Sequence, residues 1–110
     1  MLYLLIGRPI ESPPAPTVAS LEEGVATLST LVEWERTGKA RFAGVFSGAN
    51  GLAFVLDVDS HAELHLAVAS LPPFPTLDWQ VIPLLSAEED LRIAAAALEH
   101  YRAMEQDQDH

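Results

Sequence analysis

His65, four residues after His61, is the side chain in this sequence best suited by type to move a proton. An imidazole titrates near neutrality, so it can take a proton and return it within one cycle. His65 lies beside an apolar helical stripe of Leu64, Ala67, Val68 and Leu71, at the margin of a core. The structural alternative is a ring that donates to a backbone carbonyl. The same i,i+4 spacing suits two ligands of one metal ion. Glu63 points elsewhere on the helix and no third ligand is evident, so no metal site is assigned. Glu35 is the second candidate base. Val25, Leu28 and Val32 mark one helical face, and Glu35 comes at its end, where partial desolvation suits a general base. Its bland alternative is an ion pair with Arg36, Lys39 or Arg41. Arg41 can hold an anionic group through two parallel hydrogen bonds. With six basic residues against sixteen acidic ones, a structural ion pair competes for it. Phe74 and Trp79, with Tyr3 and Trp34, could line an apolar pocket for a ring-shaped ligand, although aromatics in a small domain are mostly core.

These residues need a scaffold, and 110 residues are enough for one domain with a single core. A net charge of −10 argues against nucleic acid or anionic lipid as partner, since both require basic surface. The absence of cysteine excludes disulfides, thiolate nucleophiles and cysteine-ligated zinc. Met1–Ile6 is apolar but lacks a basic leader and is shorter than a signal peptide, and no apolar run approaches the roughly 20 residues of a membrane span. A cytoplasmic protein is expected.

The first apolar run, Met1 to Gly7, predicts a strand. Four prolines between Pro9 and Ala19 predict an extended loop. Ser20 offers an N-cap, with Glu23 completing a capping box, and Gly38 ends the helix. Arg41–Ser47 and Leu52–Val58 predict two strands joined by the hairpin Gly48-Ala49-Asn50-Gly51. A helix from Ser60 to Leu71 stops at Leu71-Pro72-Pro73-Phe74-Pro75, because proline lacks an amide donor and forces its predecessor toward extended geometry. Trp79–Leu85 predicts the last strand, and Pro83 implies an edge position. Ser86-Ala87-Glu88-Glu89 opens a final helix running to about Met104, with a stripe of Leu91, Ala94, Ala95, Leu98 and Tyr101. The acidic tail 105–110 is expected to be disordered. The reading is one α+β domain, 1–104, in β-α-β-β-α-β order with an extra C-terminal helix (86–104). That order matches the ferredoxin-like fold, a four-stranded antiparallel sheet with helices on one face. The uncovered face predicts a homo-oligomer.

The segment Leu56–Leu84, with Gly38, Arg41 and Gly48 upstream, resembles the muconolactone Δ-isomerase family. It shares that family's aspartate-valine, serine, leucine-histidine, leucine-proline-x-phenylalanine-proline and aspartate run at similar spacing, over Gly38 to Leu84. The resemblance implies a ferredoxin-like fold pairing into a dimeric α+β barrel, with a cleft between sheet and helices near a neighbouring subunit. It also implies cofactor-free isomerisation of an unsaturated lactone or related ring compound in aromatic-compound catabolism. His65 and Arg41 fall at family histidine and arginine positions. On this reading His65 and Glu35 are catalytic, and Arg41, Phe74 and Trp79 bind the small-molecule substrate. Two departures are noted: Gly44-Val45 replaces an aromatic-arginine pair, and Thr27, Leu28 and Ser29 replace charged residues. The alternative they favour is a non-catalytic oligomer that binds a small apolar ligand on the same fold.

Overall fold

The computed structural model describes residues 1–108. Its elements in chain order are β1 (Leu2–Pro9), α1 (Val18–Thr37), β2 (Ala40–Val45), β3 (Leu52–Asp57), α2 (His61–Ala69), a single 3-10 turn (Phe74–Thr76), β4 (Leu77–Leu84) and α3 (Ala87–Gln108). The strands form one sheet in the order β2-β3-β1-β4. Every neighbouring pair is antiparallel. This is the expected α+β, ferredoxin-like arrangement, with β4 at an edge where Pro83 is tolerated.

Strand alternation builds the core. In β1 and β3, Tyr3, Leu5, Leu52, Phe54 and Leu56 point one way and are buried. They meet Leu31 and Trp34 of α1 and Leu64, Ala67 and Val68 of α2. Trp34 approaches Phe54 edge-on at 5.9 Å between ring centres, and Phe54 meets Trp79 at the same distance. Burying a large apolar side chain is worth about 1.5–3 kcal/mol. The opposite parity, Leu2, Leu4, Ile6, Ala53, Val55 and Ile82, is also apolar and only half-buried.

Helix α2 is as expected. Ser60 caps it by accepting from the Glu63 amide, and Leu71, just past its end, is buried. The proline corner is held by two carbonyls. Pro73 O accepts from the Thr76 amide at 3.0 Å, and Phe74 O accepts from the Trp79 indole at 3.2 Å.

Helix α1 departs from the sequence reading twice. It begins at Val18, and its N-cap is Thr17: the Thr17 hydroxyl accepts from the Ser20 amide while the Ser20 hydroxyl accepts from the Thr17 amide. Ser20 therefore closes the capping box that was expected to start with it, and Glu23 is released from capping. The buried face is Thr27, Leu31 and Trp34, while Val25, Leu28 and Val32 are exposed. Both sides of α1 carry apolar residues, and a helix can lay only one on its own sheet. The side bearing the indole fills more of the space over Phe54. Gly38, at φ 84°, ends the helix as a left-handed residue.

Helix α3 opens at Ser86, whose hydroxyl accepts from the Glu89 amide. It runs through Gln108, four residues past its expected end; His110 and Asp109 lie outside the described residues. None of its residues is buried. The chain has a radius of gyration of 20.0 Å and extents of 75 × 29 × 23 Å. A compact chain of this length has a radius of gyration of about 13 Å. The excess is α3 projecting from the body.

Candidate active site

One end of the sheet opens into a cavity of about 590 Å³. Three segments wall it: the end of β1 with the proline-rich loop after it (Pro9–Pro14), the first turns of α1 (Ser20, Glu23, Gly24, Thr27), and the proline corner entering β4 (Pro73, Pro75, Thr76, Leu77). The sequence explains why these walls stand apart. Proline fixes φ and cannot extend a sheet or helix by hydrogen bonding, so two proline-rich segments meeting over a helix leave space between them. They are tied at one point, where the Ile10 amide donates to Thr76 O at 3.2 Å.

The lining is mostly hydrocarbon with a few polar groups, as a small-molecule site requires. Glu11 and Glu23 supply carboxylates, and among the described residues no lysine, arginine or histidine lines the cavity. Ser20 gives its hydroxyl proton to Thr17 O at 3.0 Å, Thr27 to Glu23 O at 2.9 Å, and Thr76 to Pro73 O at 2.9 Å. Ser12 is the remaining lining hydroxyl. A carboxylate and a hydroxyl facing one apolar space can act as a proton carrier and a donor to a developing oxyanion.

The residues singled out in the sequence lie in three different places. Phe74 and Trp79 stack behind the proline corner, with ring centres 6.4 Å apart and 26° between planes. They back the cavity wall without lining it. His65 is exposed on α2 and meets the edge of Phe74 at 6.5 Å. Its neighbour His61 faces the Tyr3 hydroxyl, 3.2 Å from Nδ1. Glu35 is exposed at the end of α1. The face it ends is the outer one, so the desolvation expected there is absent. Arg41 lies at an irregularity in the β2–β3 pairing and donates to Asp57 at 2.8 Å. Asp57 also takes the N-terminal ammonium at 3.3 Å. The Arg41 hydrogen bond, and secondly that ammonium, hold the Asp57 carboxyl below its ordinary value. No hydrogen bond or ion pair joins His65, Glu35 and Arg41 to one another among the described residues.

Glu23, Ser12 and Glu11 were not singled out as chemical groups. Glu23 was hidden by the assumption that it caps α1. The signal against that assumption is Thr17-Val18-Ala19-Ser20, which closes a capping box without it.

A family model for muconolactone delta-isomerase matches residues 1–90. A crystal structure of muconolactone isomerase superposes with a TM-score of 0.68 at 22% identity, covering 78% of this chain and 90% of that one. A second structure is 5-chloro-2-hydroxyhydroquinone dehydrochlorinase from Burkholderia phenoliruptrix AC1100, in complex with 2,5-dihydroxybenzoquinone. It superposes with a TM-score of 0.61 at 17% identity, covering 81% of this chain and 98% of that one. A search of curated proteins finds no match. Both structural neighbours are small-molecule enzymes, and neither is similar enough in sequence to carry more than the fold.

Proposed function

The chain belongs to the muconolactone delta-isomerase family, and from that premise we propose that it is a cofactor-independent isomerase moving a proton on an uncharged, unsaturated lactone or related ring compound. The observation that carries the reading is the cavity of about 590 Å³ with two carboxylates and, among the described residues, no basic side chain in its lining. An anionic substrate would meet like charge there without a cation to hold it, and the one arginine expected to serve is bonded to Asp57 instead. An uncharged ring meets the hydrocarbon of Ile10, Leu77 and the prolines.

The reaction is an allylic proton shift. The Glu23 carboxylate takes a proton from the carbon next to the ring carbonyl. The bond electrons pass into a dienolate, whose oxygen accepts from the Ser12 hydroxyl. Glu23 then returns the proton to the far carbon of the dienolate, the double bond moves, and the enzyme is regenerated. Atoms and electrons balance without any further reactant. Phe74 and Trp79 act from behind the wall, holding the proline corner through the indole bond to Phe74 O. His65, beside Phe74, is the competing base. A dimer formed through the half-buried apolar sheet face would leave this cavity at the end of the sheet.

The test is deuterium uptake from solvent at ring carbon, with neutral unsaturated lactones compared against carboxylate-bearing ones. Glu23→Gln should lower exchange by about 10²–10⁴-fold, as loss of a positioned base does, while His65→Gln leaves it nearly unchanged. The reverse pattern would move the proton to His65. Equal turnover of carboxylate-bearing lactones would remove the argument from charge.

A further inference from the structure

Two exposed apolar seams have the same length and matching spacing. On α1 the outer face carries Val18, Leu21, Val25, Leu28 and Val32, each exposed, at steps of three and four residues. On α3 the positions Ala87, Leu91, Ala94, Leu98 and Tyr101 repeat at steps of four and three, and none is buried. Alternating three-four steps are the 3.5-residue period of a helix seam built to pack against another helix. Each seam spans fifteen residues, about 21 Å of helix axis. Each stops at a glutamate in the next seam position, Glu35 on α1 and Glu105 on α3.

The order of the steps sets the direction. Read forward, α1 goes three-four-three-four and α3 goes four-three-four-three, so the positions align one to one only when the helices run antiparallel. Then Val18 faces Tyr101, Leu21 faces Leu98, Val25 faces Ala94, Leu28 faces Leu91 and Val32 faces Ala87. The same alignment brings together the residues flanking the seam on one side. Glu22 falls with Arg102 at one end, Ser29 with Ala95 in the middle, and Arg36 with Glu88 at the other end. The charged pairs are opposite in sign at both ends.

We propose that α3 of one copy of this chain docks antiparallel on the outer face of α1 of a second copy. The partner is a second copy because α3 stands away from its own body, giving the chain its 75 Å extent, while the outer seam of α1 lies on the side away from its own sheet. Most helical stability in proteins comes from packing of an apolar face, and the docked arrangement supplies the face α3 lacks. This surface is separate from the cavity and does not depend on which reaction occurs there.

The chain contains no cysteine, so cross-linking starts from a clean background. Val25→Cys and Ala94→Cys are placed in two differently tagged full-length copies, co-expressed and oxidised. The expected dominant product is a disulfide joining one tag to the other. Ala94→Cys copies joining only to each other, the double variant closing within one chain at high dilution, or no cross-link at all would each overturn the proposal. In the otherwise native full chain, Leu98→Glu should raise the concentration for half-association at least about tenfold, the loss of one well-packed anchor. Gln106→Glu, on the polar side of α3, should leave it unchanged. Equal association of the Leu98→Glu and Gln106→Glu chains, both helical by circular dichroism, would also overturn it.

Discussion

Leu4 and Leu5 are adjacent on β1, and Phe54 and Val55 are adjacent on β3. Leu5 and Phe54 are each 0% exposed beneath α1 and α2, while Leu4 and Val55 lie on the other face and stay half-buried. The two faces have nearly the same chemistry. What differs is the cover, since one face receives both helices that the chain supplies between its strands and the other receives none. Phe42, 60% exposed, and Leu84 extend the uncovered face toward both edges. A sheet apolar on both sides is only half-finished by its own chain. The burial of Leu5 is a folding term, and the further burial of Leu4 is something the chain's own helices do not supply.

The contrast can be broken by substitution on each face. Phe54→Ala removes a ring packed between Trp34 and Trp79, and should lower unfolding free energy by about 3–5 kcal/mol in denaturant titration. That loss should be the same at every protein concentration. A concentration-dependent loss would mean the helical side is also an interface. Ile6→Glu, on the other face, should do the opposite. It should leave the secondary structure of the isolated chain in place and weaken the concentration dependence of the melting temperature, with a lower mass in sedimentation, leaving only the association carried by α3. A wild-type chain that sediments as a monomer, with a melting temperature independent of concentration, would break the comparison outright. A smaller effect sharpens it: Gly38→Ala forces a side chain into the left-handed region at φ 84°, costing roughly 1 kcal/mol. Because the helix end it distorts lies away from the uncovered sheet face, association through that face should not change.

The sheet and its order were legible because alternation in β1 and β3 and the prolines after α2 leave little choice. Helix α1 was harder. Its apolar residues occupy two sides, and periodicity alone counts Val25, Leu28 and Val32 as core as readily as Leu31 and Trp34. Only the volume available above Phe54 decides which side turns inward. The cavity was less legible still. It forms where the loop after β1 and the start of α1, neighbours in sequence, meet a proline corner far along the chain. Glu23 looked like a cap, and a carboxylate with a local structural explanation draws no further scrutiny. Arg41 illustrates the converse. Its type suits a substrate carboxylate, but the register brings Asp57 and the N-terminus beside it, and a six-to-sixteen ratio of basic to acidic residues makes such capture common.

The smallest expected effect concerns that ion pair, which lies at the rim of the uncovered face, since Asp57 shares the parity of Val55 on β3. The hydrogen bond from Arg41, then the ammonium of Met1, lower the Asp57 carboxyl from its ordinary 3.8. A lowered pKa means the folded chain holds the charged form more firmly than the unfolded one does. The resulting stability is present above the unfolded value near 3.8 and disappears as pH falls through the lower folded value. Asp57→Asn should therefore lower the neutral plateau slightly and flatten the acid limb, the two chains converging in stability as pH falls below the folded value. Both partners are substantially exposed in the single chain, so screening should make the difference slight. Salt then distinguishes the two states of the face. At about 1 M salt the screening length is about 3 Å, and a wet rim loses the difference between wild type and Asp57→Asn. If a second copy covers the face, the pair is shielded from ions and the difference survives. Persistence of the acid limb in high salt at high protein concentration, and its loss on dilution, is the outcome expected of a sheet whose second face is completed by another chain.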